Sequence, residues 1–90
     1  MDTQWNITPE ELKNNLSRVT LLDVREFPLD EIQLRAESEL EKSTPIVIYC
    51  AHGVRSIHAL MALKSMGYEN VRSLQGGLCA WEEQGYPSLS

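Results

Sequence analysis

Positive charge is scarce in this sequence. Eight Lys and Arg stand against thirteen Asp and Glu, a net charge of −5, with a pI near 4.9. That balance argues against non-specific binding to nucleic acid or to an anionic membrane, both of which reward the opposite sign. Long apolar runs are also lacking: none approaches the roughly 20 residues that span a bilayer. The opening "MDTQWNITPEEL" has no basic segment followed by an apolar one, so it does not read as a signal peptide, and the expected compartment is the cytoplasm. Cysteine is rare. There are two in 90 residues, with no CxxC and no Cys/His cluster, so neither a structural zinc site nor a disulfide framework is expected. Internal repeats, low-complexity tracts and linkers are absent. The remainder is ordinary for one small globular domain spanning residues 1–90: 42% hydrophobic and 23% charged.

Proline and glycine punctuate the chain. In "NITPEEL" Thr8 suits a helix cap, Pro9 the first helical position and Glu11 a capping box, with Leu12 and Leu16 on one face of a short helix. The run "VTLLDV", 19–24, reads as a buried strand. Between Pro28 and Lys42, Leu29, Ile32, Ala36 and Leu40 recur at spacings of three and four, predicting an amphipathic helix with a solvated acidic face. "PIVIY", 45–49, has the composition of a central strand. A helix follows from about Arg55 to Met66, with Ile57, Leu60, Met61 and Leu63 patterned along it and Met61 and Met66 as core filling; Gly67 ends it. "NVRSL", 70–74, is a shorter strand, "QGG" a turn, and "LCAWEEQG" a last helix stopped by Gly85. Trp81 is expected in the core and Trp5 over the first strand or a sheet edge. Alternating strands and helices imply an α/β fold with a mostly parallel sheet of about four strands, flanked by helices.

Active sites of such sheets lie at the carboxyl ends of strands, where "IYCAHGVRS" places Cys50. Cys50, Ala51, His52, Gly53, Val54, Arg55 and Ser56 bridge the central strand and a helix. A short loop entering a helix turns backbone N–H groups inward, and the helix end adds partial positive charge. Gly53 allows the chain to curl, and Arg55 contributes a permanent charge and several donors. A cysteine at the base of that cradle is expected to be partly thiolate near neutrality. The plainer alternative makes Cys50 a small buried hydrophobe closing a strand. Cys79 faces a similar choice: burial against the core is the main expectation, a thiol resolving Cys50 the alternative. His52 is either a proton-transfer group or a hydrogen-bond donor at the rim, and His58 a solvated helix residue.

"LLDVRE" (21–26), "PIVIYCAHGVRS" (45–56), "LKSMGYENVRSLQGGLCAW" (63–81) and "GYP" (85–87) together resemble the rhodanese, or sulfurtransferase, domain family, in the family's order and over most of the chain. The resemblance implies a rhodanese-like fold. It also implies a nucleophilic cysteine, here Cys50, that accepts a sulfane sulfur and passes it on. The amides of Ala51, His52, Gly53, Val54 and Arg55, extending to Ser56, would hold the persulfide. Asp23 and Arg25 match the family's "DVR" and are expected to support the loop through an ion pair or hydrogen bonds. No metal or organic cofactor is implied. Cys50 and Arg55 enclose four residues, where phosphatase relatives enclose five, and the tighter loop favours one sulfur over a phosphate ester.

Two departures from the family pattern carry expectations of their own. The "GHIPGA"-like stretch that usually forms a strand and turn has no counterpart between Glu26 and Pro45, so the sheet is expected to lack one usual strand. The twenty residues between Val24 and Pro45 still suffice for a helical crossover. The residue after the cysteine, often basic in members that use thiosulfate, is Ala51. That favours a protein persulfide or a small persulfide over thiosulfate as donor, with a thiol or cyanide as acceptor. A monomer is expected. The alternatives are a catalytically weak binding or regulatory module, and a thiol-based oxyanion (arsenate) reductase using Cys50 and Cys79.

Overall fold

The computed structural model describes residues 5–25, 31–52, 54–87 and 89. Its four strands are β1 (Asn6–Ile7), β2 (Thr20–Asp23), β3 (Ile46–Tyr49) and β4 (Val71–Leu74), interleaved with helices α1 (Pro9–Lys13), α2 (Ile32–Glu39), α3 (Val54–Ser65) and α4 (Gly77–Glu83). All strands run parallel in the order β1-β4-β3-β2. The α/β architecture is thus the one the alternating pattern implies. Among the described residues between Asp23 and Ile46 only α2 is regular structure.

The pleat sorts side chains to two faces. From β3, Ile46, Ile48 and Cys50 enter one cluster with Leu22, Ile32, Ala36, Ala59, Leu60 and Leu63. Val47 and Tyr49 enter the other with Ile7, Leu12, Leu74 and Trp81. Helices α2 and α3 cover the first face, α1 and α4 the second. Both faces of β3 are buried, as parallel pairing on each side requires.

Local signals hold where a cap or a strong period set them. Thr8 Oγ1 accepts from the Glu11 N–H at 3.1 Å and Glu11 Oε1 from the Thr8 N–H at 3.1 Å, the expected capping box. The Thr8 N–H, and after it the Thr8 hydroxyl donating to the same Oε1 at 3.2 Å, keep the Glu11 carboxyl below its usual value. The same motif hid β1. Asn6 and Ile7 read only as a lead-in to the helix, yet they pair with Ser73 and Leu74, a contact made by tertiary approach rather than propensity.

Three expectations are corrected. Leu16 does not share a buried face with Leu12. Helix α1 stops at Lys13, and Leu16 starts a one-turn 3-10 helix with its side chain exposed. Met61 is not core filling: it is 52% exposed, because the buried stripe of α3 runs through Ser56, Ala59, Leu60 and Leu63. Met66 does pack against the first cluster, as does Trp5. The third correction is a helix boundary: α2 covers Ile32–Glu39, with Leu40 closing it through an N–H to Ala36 carbonyl bond. Residues 28–30, including Leu29, lie outside the described ones. The acidic face is solvated, and Arg35 pairs with Glu39 one turn on at 3.0 Å.

Candidate active site

Cys50 directly follows β3 at the carboxyl edge of the sheet. Strand parity sends its side chain to the α3 face, where the residue is 5% exposed. Its Sγ lies 3.7 Å from Ser56 Oγ, and Ser56 Oγ lies 2.6 Å from Ser73 Oγ. The sulfur is therefore neither wholly apolar in its surroundings nor open to bulk solvent.

The two ends of the sheet's connections meet at this loop. The Leu78 N–H donates to the Cys50 carbonyl at 2.7 Å, and the Cys79 N–H to the Ala51 carbonyl at 3.0 Å. These are N–H groups that the first turn of α4 cannot satisfy internally. In a trans peptide the carbonyl and the following N–H point in opposite directions. With the Cys50 and Ala51 carbonyls turned to α4, the N–H groups of Ala51 and His52 point away from it. Gly77 makes the approach feasible. A Cβ there would sit 2.6 Å from both carbonyl oxygens, and its φ is +68°. The "GG" visible in the sequence thus serves to dock a helix end on the cysteine loop.

Of the remaining expected site residues, Ala51 is half-buried, His52 and Arg55 are exposed, and Ser56 is buried. Val54 opens α3, and Gly53 lies outside the described residues. Cys79, expected chiefly in the core, is only half-buried in the first turn of α4. Ser73 was not singled out by sequence: alternation in "VRSL" marks it as inward-facing, but gives no sign that its hydroxyl meets Ser56.

Asp23 and Arg25 form the expected ion pair, Arg25 Nη2 to Asp23 Oδ2 at 2.7 Å, with the Arg25 N–H also on Asp23 Oδ1 at 2.9 Å. The Arg25 guanidinium, followed by its backbone N–H and the Tyr49 hydroxyl, holds the Asp23 carboxyl below its usual 3.8. Tyr49 belongs to the cluster opposite Cys50, so the pair ties β2 to β3 behind the loop and does not face the sulfur. A carboxyl with a depressed folded-state value adds stability above its unfolded value and loses it as pH falls through the folded one. Urea midpoints of wild type and Asp23→Asn should therefore differ at pH 6 and converge as pH drops below the ordinary carboxylate range. A difference unchanged at acid pH contradicts this role.

Among the described residues no group of three or more His, Cys, Asp or Glu is placed to hold a metal. No described helix is long and apolar enough to cross a membrane.

Residues 26–84 match the model of the rhodanese-like domain. A sulfurtransferase of Allochromatium vinosum is 36% identical over 83 residues, covering 92% of this chain and 73% of that protein. A probable adenylyltransferase/sulfurtransferase, MoeZ, of Mycobacterium tuberculosis is 35% identical, and the match covers 92% of this chain but 26% of the relative. The solution structure of a rhodanese-like domain from Anabaena sp. superposes with a TM-score of 0.81 at 33% identity, covering 97% of this chain and 78% of that one. With its cysteine loop at the edge of a four-stranded parallel sheet, the chain belongs to the rhodanese-like domain family.

Proposed function

We propose that the chain is a sulfurtransferase in which Cys50 carries the sulfur. The Cys50 thiolate attacks the sulfane sulfur of a donor. A bond forms between the two sulfurs as the donor's own bond breaks, releasing a thiolate from a persulfide donor or sulfite from thiosulfate. The acceptor, a thiol or cyanide, then attacks the outer sulfur, and Cys50 leaves as thiolate. The observation that carries this reading is the polarity of the loop. Both carbonyls next to the cysteine are occupied by α4, leaving amides to face the persulfide anion.

The donor class follows from charge and size. Cys50 is nearly buried, so only a slender donor sulfur reaches it. Ala51 offers no cation beside it; the charge comes from Arg55. A persulfide has one anionic sulfur to place, whereas thiosulfate brings a sulfonate that lacks a dedicated partner. Ala51→Arg should lower the thiosulfate KM about tenfold, the worth of one charge-assisted hydrogen bond, and leave loading from a persulfide unchanged. Thiocyanate release into cyanide, measured with each donor, checks this. Equal change for both donors contradicts the assignment of donor.

The burial of Cys50 within the apolar cluster favours a second reading, a binding module with weak catalysis. Under it, Cys50→Ser leaves the protein's biological role intact; under sulfur transfer it abolishes that role.

A further inference from the structure

Two serines sit in an otherwise apolar layer between sheet and helix. Ser56, in the first turn of α3, and Ser73, on β4, are the buried polar side chains among the described residues. Ser73 is in register with Ile48, two residues before Cys50 on the same face of β3. An alanine at either position would pack there without needing a partner, while a buried hydroxyl must find one. The hydroxyls find each other at 2.6 Å, and the chain continues from Ser56 Oγ to Cys50 Sγ at 3.7 Å.

We propose that Ser73 is a positioning residue of the sulfur site, acting through Ser56 as a two-hydroxyl relay whose hydrogen bonds reverse direction when Cys50 changes between thiol and thiolate. In the thiol, Sγ–H donates to Ser56 Oγ, and the Ser56 hydroxyl donates to Ser73 Oγ. In the thiolate, the Ser73 hydroxyl donates to Ser56 Oγ, and the Ser56 hydroxyl donates to the sulfur anion. The proton itself leaves to solvent. The hydroxyls only rotate, which a serine does without moving its heavy atoms. The charge returns to Sγ when an acceptor removes the outer sulfur, so the relay also stabilises the leaving group of the second half-reaction. Its role in turnover rests on the sulfur-transfer reading; its bond to the thiolate does not.

The charged and titratable groups on the elements packed around Cys50 are Asp23 at the end of β2 and Arg25 beyond it, Arg35, Glu37 and Glu39 on α2, Tyr49 on β3, His52 in the loop, Arg55, His58 and Lys64 on α3, Arg72 on β4, and Cys79, Glu82 and Glu83 on α4. All are retained when Ser73 is replaced, so they cancel in a comparison of variants.

The test is the rate of Cys50 alkylation by iodoacetamide across pH, with the site read by peptide mass so that Cys79 is counted separately. Ser56→Ala should raise the midpoint by about one pH unit, the value of a lost charge-assisted hydrogen bond. Ser73→Ala should raise it by roughly half as much, because Ser56 stays but loses the Ser73 hydroxyl that orients it. The double variant should match Ser56→Ala alone, and Ser73→Thr should keep the wild-type midpoint. Ser73→Cys, close in volume and a weaker donor, gives the same readout if Ser73→Ala does not fold. An unchanged midpoint in folded Ser73→Ala or Ser73→Cys, or a double variant equal to the sum of the singles, overturns the relay. Wild-type protein that takes up no sulfur from any donor would sink the sulfur-transfer reading while leaving these alkylation profiles to decide the relay by themselves.

Discussion

Gly77→Ala should be the most damaging small substitution in the chain. The new methyl meets two backbone carbonyl oxygens and a carbonyl carbon, at 2.6, 2.6 and 2.7 Å. None of these atoms belongs to a side chain that could swing aside. The left-handed φ of +68° adds about 1–2 kcal/mol of strain for any residue with a Cβ. Relief requires α4 to retreat, which breaks the Leu78 and Cys79 N–H bonds to the loop. The combined cost is on the order of 3–5 kcal/mol, a large share of what a small domain possesses, and melting should fall by roughly 15 °C or more. Comparison with Gly85 isolates the steric part. Gly85 too has a positive φ, +77°, but nothing lies within 4 Å of its Cβ position. Gly85→Ala should therefore lose only about 1 kcal/mol. Equal losses at the two positions would show that the close approach to the cysteine loop does not matter. The Gly77 variant should also load sulfur poorly even below its melting temperature, since the carbonyls of Cys50 and Ala51 are then free to turn and the amides with them.

Trp81→Ala carries the second large expected effect. Trp81 is the largest fully buried side chain, at the centre of the cluster with Ile7, Leu12, Val47, Tyr49 and Leu74. Its Nε1–H donates to the Pro87 carbonyl at 2.6 Å, and its ring meets Tyr86 edge-on at 4.8 Å between centroids. Truncation removes this packing and leaves a cavity beneath α4, a loss of about 3–5 kcal/mol. Trp81→Phe keeps most of the apolar volume and forfeits the hydrogen bond, so a loss nearer 1–2 kcal/mol is expected. Urea unfolding of both variants measures this. A Trp81→Ala loss below that of Trp81→Phe would show that the cluster does not anchor α4. Because α4 orients the cysteine loop from behind, the alanine variant should lose sulfur loading along with stability.

Much of this arrangement is written locally. Thr8, Pro9 and Glu11 specify the start of α1 through contacts within four residues, and "PIVIY" specifies a strand buried on both faces. The junction cysteine, the loop length and the "GG" turn were also legible, because each is a contiguous pattern. What escaped reading depends on partners distant in the chain. A two-residue strand such as Asn6–Ile7 has no period to detect and exists because β4 offers an edge. The phase of α3 is ambiguous at Met61 because Leu60, Met61 and Leu63 alone fit more than one stripe; the small residues Ser56 and Ala59, which lie against the sheet, settle it. Asp23 and Arg25 pair as "DVR" suggests, but that the pair lies on the Tyr49 face of the sheet follows only from the register of β2 with β3. Ser73 is one serine in a short strand until Ser56 is brought to it.

The central claim is that Cys50 carries sulfur, and intact mass tests it most directly. Reduced protein is incubated with a persulfide donor, and separately with thiosulfate, and weighed before and after cyanide. The account predicts a gain of one sulfur atom from the persulfide, its loss to cyanide as thiocyanate, and no such gain in folded Cys50→Ser. A folded wild-type protein that gains no mass from either donor, or a Cys50→Ser variant that gains the same cyanide-labile sulfur, would contradict it.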